Sequence, residues 1–95
     1  MRRIDIDGPG VDIDRSLRLL YQGELFTGEA VEYLGGALVS LESYQDGLVH
    51  GPSREWYPGG ALASEKEFAD DGELVSHRAW DESGRLVRCW SRMFS

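Results

Sequence analysis

The chain repeats itself with a period of 23–24 residues, and that periodicity constrains its fold more than any single motif. Tyr21 opens YQGELFTGEAVEYLGGALVSLES, Tyr44 opens YQDGLVHGPSREWYPGGALASEKE, and Phe68 opens FADDGELVSHRAWDESGRLVRCW. Trp56 and Trp80 lie 24 residues apart, as do Gly36, Gly60 and Gly84, and Leu38, Leu62 and Leu86. Tyr33 takes the aromatic slot of the first unit, one residue out of step. Aromatic, glycine and leucine columns in one register require the same supersecondary unit three times over, and such units bury their apolar faces by stacking on neighbours.

Within each unit the pattern is that of hairpins. Runs of alternating polarity such as Ser53 to Tyr57 and Ala61 to Phe68 are bounded by Gln45-Asp46-Gly47, Pro58-Gly59-Gly60, Asp70-Asp71-Gly72 and Glu82-Ser83-Gly84. Asp-Gly and Gly-Gly pairs supply the positive φ angles of tight hairpin turns, and Pro58 presets φ at the start of its turn. Only Asp14 to Tyr21 has any competing helical spacing. The expected fold is all-β: a single meandering antiparallel sheet of consecutive hairpin repeats, its core a stripe of Leu and aromatics along one side.

Alternation predicts Leu62, Ser64, Lys66 and Phe68 on one face and Ala61, Ala63, Glu65 and Glu67 on the other, with Leu74, Ser76, Arg78 and Trp80 sharing a face. Residues 1–20 read as N-terminal capping strands around a Gly-Pro-Gly turn, residues 21–90 as three repeats, and residues 91–95 as the C-terminal end. Trp90 and Phe94 are expected to close that end, and only the first few residues and Ser95 to be mobile. One domain accommodates the whole.

The 95 residues are 41% apolar, 11% aromatic and 28% charged, ordinary for a folded domain of modest core. Seventeen acidic side chains against ten basic ones leave a formal charge of -7, with a pI near 4.7. Nucleic acid and anionic membranes need clustered cations to meet phosphates, so both are disfavoured as direct partners and a basic protein is favoured. Lys66 is the one lysine; the remaining cations are arginines, suited to paired recognition of carboxylates. The single cysteine, Cys89, fits a reducing compartment, and the N-terminus lacks the apolar core of a signal peptide, so the expected location is cytoplasmic.

Tyr44, Asp46, Gly47, Gly51, Glu55, Trp56, Tyr57, Gly60 and Leu62 together make a unit that resembles the MORN-variant repeat. The resemblance covers residues 21–90 and is most complete in the second unit; in the third, Ser76 stands where a second glycine is usual. RLLYQGELFTGEAVEYLGGALVSLESYQDG followed by GPSREWYPGGAL is similar to the YwqK-type antitoxin family. The resemblance implies a MORN-like hairpin sheet and a role in neutralising a toxin of the nuclease or deaminase class.

No residue pattern specifies chemistry. His50 and His77 are the only histidines; His50, followed by Gly51, has no hydroxyl, thiol or carboxylate motif around it, and Cys89 next to Trp90 reads as an inert buried thiol. Asp5, Asp7, Asp12 and Asp14 lack the spacing of a calcium loop with its trailing Glu. Gly8-Pro9-Gly10 and Gly59-Gly60 lack the Gly-Lys-Ser/Thr ending of a phosphate loop. The reading is a non-enzymatic interaction module without metal or cofactor, in first place an antitoxin or immunity protein that blocks a basic toxin. Glu55, Trp56, Tyr57, Glu65, Glu67, Asp70 and Asp71 are the candidate contacts, acidic groups for steering and aromatics for anchoring. The alternative is a scaffolding repeat module that self-associates or links partner proteins; oligomeric state stays open at this point.

Overall fold

A computed structural model describes residues 2–92; Phe94 and Ser95 lie outside the described residues. The fold is all-β. Seven strands form one sheet in the order β1 (Arg3–Asp5), β5 (Gly28–Leu34), β6 (Ala37–Gln45), β7 (Leu48–Trp56), β8 (Leu62–Phe68), β9 (Leu74–Trp80) and β10 (Leu86–Ser91). From β5 to β10 each strand pairs antiparallel with the next, which is the expected meander.

The N-terminus departs from that expectation. β1 pairs parallel with β5, matching Ile4 to Ala30, while β2 (Val11–Ile13), β3 (Leu19–Tyr21) and β4 (Glu24–Leu25) form a separate three-stranded sheet. The two capping strands therefore belong to different sheets, and the segment Asp14 to Tyr21 forms a turn and a strand rather than a helix. Asp14 makes that turn by accepting N–H bonds from Ser16 (2.8 Å) and Arg18 (2.9 Å) on one carboxylate oxygen.

The hairpin tips follow two designs. Gln22-Gly23, Gly35-Gly36 and Asp46-Gly47 are two-residue turns with positive φ at both positions, the condition for a type I′ turn, whose twist matches that of the flanking strands. The three later tips share a wider loop closed by a pair of backbone bonds. In the first, Gly60 N–H donates to the Tyr57 carbonyl and Tyr57 N–H to the Ala61 carbonyl, both at 2.8 Å. The same pair recurs between Ala69, Gly72 and Glu73, and between Asp81, Gly84 and Arg85. Gly60, Gly72 and Gly84 hold φ of 101°, 84° and 90°, a left-handed conformation that costs other residues about 1–2 kcal/mol.

The repeat columns are cross-strand partners. Tyr33 faces Leu38, Trp56 faces Leu62 and Trp80 faces Leu86, and beside each pair the register shifts by a bulge. The aromatic and leucine columns thus mark one contact made three times at the hairpin tips.

That contact is not the core. The buried apolar residues are Ile4, Leu19, Phe26, Ala30 and Val31, all in the first third of the chain. Leu19 and Phe26 pack with Ile4 and Ala30, flanked by Ile6, Val11, Tyr21 and Tyr44. Tyr21 meets Phe26 edge-on with ring centroids 6.1 Å apart. The cluster sits where the small sheet lies on the first strands of the large one. It is held there by the Asp46-Gly47 tip: Leu19 N–H donates to the Gly47 carbonyl and Gly47 N–H to the Phe26 carbonyl, each at 2.8 Å. A Cβ at Gly47 would stand 2.9 Å from both Arg18 and Leu25, so this glycine is required by space as well as by φ.

Beyond β7 no second layer of described residues covers the sheet. β8 and β9 are half-buried almost throughout, and all six residues of β10 are exposed. Trp90 therefore does not close the C-terminal end, being 48% exposed, and Cys89 is an exposed thiol rather than a buried one.

Candidate functional site

Cross-strand partners share a face, and the register sorts the large sheet into two surfaces. On the front face Leu41, Arg54, Glu65, Arg78 and Cys89 form one row across β6 to β10. On the back face Glu42, Ser53, Lys66, His77 and Trp90 form another. The small sheet packs on the back face at its β1–β5 end, because Ile4 and Ala30 continue that row.

The front row is an ion-pair ladder. Arg54 Nε donates to Glu65 Oε2 at 3.0 Å, and Arg78 Nη2 lies 3.6 Å from Glu65 Oε1, so one carboxylate bridges two guanidinium groups on neighbouring strands. With Pro52, Lys66, Glu67 and Ser76 these residues line a shallow groove. The exposed pairs are each worth less than about 1 kcal/mol and fix side-chain positions more than stability. Arg3 and Glu29 pair at 3.0 Å farther along.

The back face carries titratable groups in contact. Glu55 Oε1 accepts the Ser64 hydroxyl at 3.3 Å and lies 3.9 Å from Lys66 Nζ. The Tyr44 hydroxyl donates to Glu42 Oε1 at 3.5 Å, and Ser53, only 6% exposed, sits between Glu42 and Lys66 in the row. Burial, seconded by the Glu55 carboxylate, pushes the Glu42 carboxyl above the usual range against the opposing pull of Lys66 and the Tyr44 hydroxyl. Burial and Glu42 raise the Tyr44 phenol to about 12. Burial, then the charges of Lys66 and Arg88, lower the His77 imidazole. Beside it, Leu74, His77, Arg88 and Trp90 line a small apolar depression at the sheet edge. The bulge in β9 moves Leu74 there, away from the face that strict alternation shares with Ser76 and Arg78.

The predicted contact residues are not gathered into one site. Glu65 and Glu67 are on the front face, whereas Glu55 is on the back. Trp56 and Tyr57 are both half-buried near the Pro58-Gly59-Gly60 tip, and the Tyr57 hydroxyl donates to the Trp80 carbonyl at 2.8 Å. Asp70 and Asp71 occupy the tip at the other end of β8; Asp70 Oδ1 lies 3.0 Å from His50 Nδ1, and Asp71 accepts the Glu73 N–H at 2.9 Å. Asp81 plays the same turn role for Ser83 and Arg85, and these hydrogen bonds, that of the Ser83 hydroxyl first, hold its carboxyl below the usual range. In the Asp-rich N-terminus, Asp5, Asp12 and Asp14 each accept local backbone N–H bonds.

Sequence reasoning missed the ladder, although Arg54 and Arg78 stand 24 residues apart and so occupy one column of the repeat. It also missed the Glu42–Tyr44 contact, which needs only the i, i+2 spacing of one strand face. No protein-family model, curated protein or solved structure matches this chain.

Proposed function

We propose that this chain is a non-enzymatic protein-binding module that acts as an antitoxin or immunity protein, covering the basic substrate cleft of a toxin of the nuclease or deaminase class. The observation that carries the reading is the surplus of free carboxylates on a thin sheet. Of 17 acidic side chains, Glu29, Glu55, Glu65, Asp70 and Glu73 form ion pairs among the described residues. Exposed carboxylates outside these pairs and outside the turn hydrogen bonds, such as Glu24, Glu32, Glu67 and Glu82, are available to a cationic surface, where opposite potentials speed encounter and carboxylates take the place of substrate phosphates. The resemblance to MORN-variant antitoxins points the same way. The half-buried Trp56 and Tyr57 act here as supports of the hairpin tip, and the acidic groups as the contacts.

Co-expression with the protein encoded by the neighbouring gene tests the proposal. Relief of toxicity, together with a complex whose association slows as salt is added, is the expected result. Unrelieved toxicity and the absence of a complex at low salt would contradict it. A self-associating scaffold is the second reading, favoured by the uncovered strand β10.

A further inference from the structure

The loop between β2 and β3, residues 14–18, is a fourth copy of the wide hairpin tip. Leu17 N–H donates to the Asp14 carbonyl and Asp14 N–H to the Arg18 carbonyl, both at 3.0 Å, the same pair of bonds that joins Asp81, Gly84 and Arg85. The side chains match as well. Asp14 Oδ1 accepts the N–H groups of Ser16 and Arg18, as Asp81 Oδ1 accepts those of Ser83 and Arg85. Asp14-Arg15-Ser16-Leu17-Arg18 therefore corresponds to Asp81-Glu82-Ser83-Gly84-Arg85 position by position.

The left-handed position breaks the correspondence. Gly60, Gly72 and Gly84 hold it in the other three tips, and here Leu17 holds it, with φ of 63°. A leucine is strained there because its Cβ crowds the following carbonyl oxygen. Burial gives nothing in return: Leu17 is 81% exposed, the highest value among the exposed large apolar residues. The fold thus carries a cost that glycine would remove. Strain of this kind at an exposed tip points to a contact made outside the chain.

We propose that Leu17 is an apolar anchor that enters a pocket on the protein partner, with Arg15 and Arg18 pairing with carboxylates at the mouth of that pocket. Both arginines are exposed and neither forms an ion pair among the described residues, whereas the Asp14 carboxylate is taken up by the turn. Guanidinium groups on both sides of the leucine select a rim of carboxylates, which they meet bidentately. A single side chain projecting from a tip already fixed by hydrogen bonds suits a pocket, since little freedom is lost on docking. Ile13, immediately before the loop and 58% exposed, widens the apolar contact. Nucleic acid and anionic lipid are poorer occupants, because two arginines do not offset the repulsion of a chain carrying -7.

The anchor rests on the antitoxin reading for the identity of the partner and adds a second contact to it. The free carboxylates meet the basic cleft, and the arginine-flanked leucine meets a site of opposite charge on the same toxin.

Calorimetric titration of the neighbouring gene's product with the chain tests the anchor. Leu17→Gly should weaken the complex about 10- to 100-fold, chiefly through faster dissociation, while the free variant melts no lower than the wild type. Arg15→Glu/Arg18→Glu makes the chain still more acidic, so general steering alone would tighten the complex; a carboxylate rim predicts binding about 10-fold weaker. A wild type that forms no complex overturns the antitoxin reading and the anchor with it. A wild type that binds while Leu17→Gly binds equally well overturns the anchor alone. So does a Leu17→Gly variant that melts lower, because the fold itself would then need the leucine, and so does tighter binding by the double variant.

Discussion

The two ends of the large sheet solve the same problem differently. At the β1–β5 end a parallel strand extends the sheet and a second small sheet packs on its back face, and every buried apolar side chain of the described residues is found within residues 4–31. At the β8–β10 end the sheet is one layer thick and β10 is exposed on all its residues. Stability at the first end comes from burial; at the second it comes from backbone ladders, cross-strand pairs and the tip contacts of Trp56, Tyr57 and Trp80. The difference teaches that the repeat units supply regular strands, while the non-repeating N-terminal segment supplies the core.

The sharpest way to break this comparison is truncation at matched positions. Phe26→Ala empties the centre of the core and should cost about 3–5 kcal/mol in urea unfolding. Leu86→Ala, in the leucine column of the third repeat but 49% exposed, should stay within about 0.5 kcal/mol. Equal losses would mean that the two ends are equally packed.

The hairpin tips give the next contrast. Gly47→Ala combines a φ of 84° with contacts to Arg18 and Leu25, and should cost about 2–5 kcal/mol. Gly84→Ala has a similar φ of 90° but open space around it, so only the conformational penalty of about 1–2 kcal/mol remains. Thermal melting of the two variants, with circular dichroism as the probe, separates the docking tip from the free one.

The smallest expected effect depends on pH. Glu42 has its carboxyl raised in the folded state, so its protonated form favours folding below the ordinary value of 4.5, and that contribution is lost as pH rises through the raised value. Glu42→Gln should therefore raise the melting temperature modestly at pH 7, with the gain shrinking toward pH 4. A gain independent of pH would show that charge at Glu42 is not its cause.

The meander was legible because its determinants are local. Turn glycines at Gly36, Gly60 and Gly84 and the alternation between them specify hairpins residue by residue, and the aromatic–leucine columns proved to be cross-strand partners. The core was not legible. Its position depends on Ile4 returning parallel to Ala30 and on Leu19 and Phe26 meeting the Asp46-Gly47 tip, contacts between segments that no local pattern links. The leucine and aromatic stripe looked like the core because those residues bury area in most proteins; here no second layer among the described residues lies over them after β7.

The candidate site was legible in part. Alternation correctly separated Glu65 and Glu67 from Ser64 and Lys66, but Glu55, Asp70 and Asp71 were grouped with them by charge alone, and the sheet places them on another face or at its tips. The thiol of Cys89 misled for the same reason as the stripe: a strand residue beside Trp90 reads as buried until the strand is known to be an edge.

Residue-resolved amide hydrogen exchange tests the contrast between the two ends of the sheet most directly. Leu19, Phe26 and Gly47, bonded inside the N-terminal junction, should exchange only through global unfolding, while Cys89 and Ser91 exchange rapidly. Core-like protection of Cys89 and Ser91, or equally rapid exchange at Leu19 and Phe26, would contradict the account.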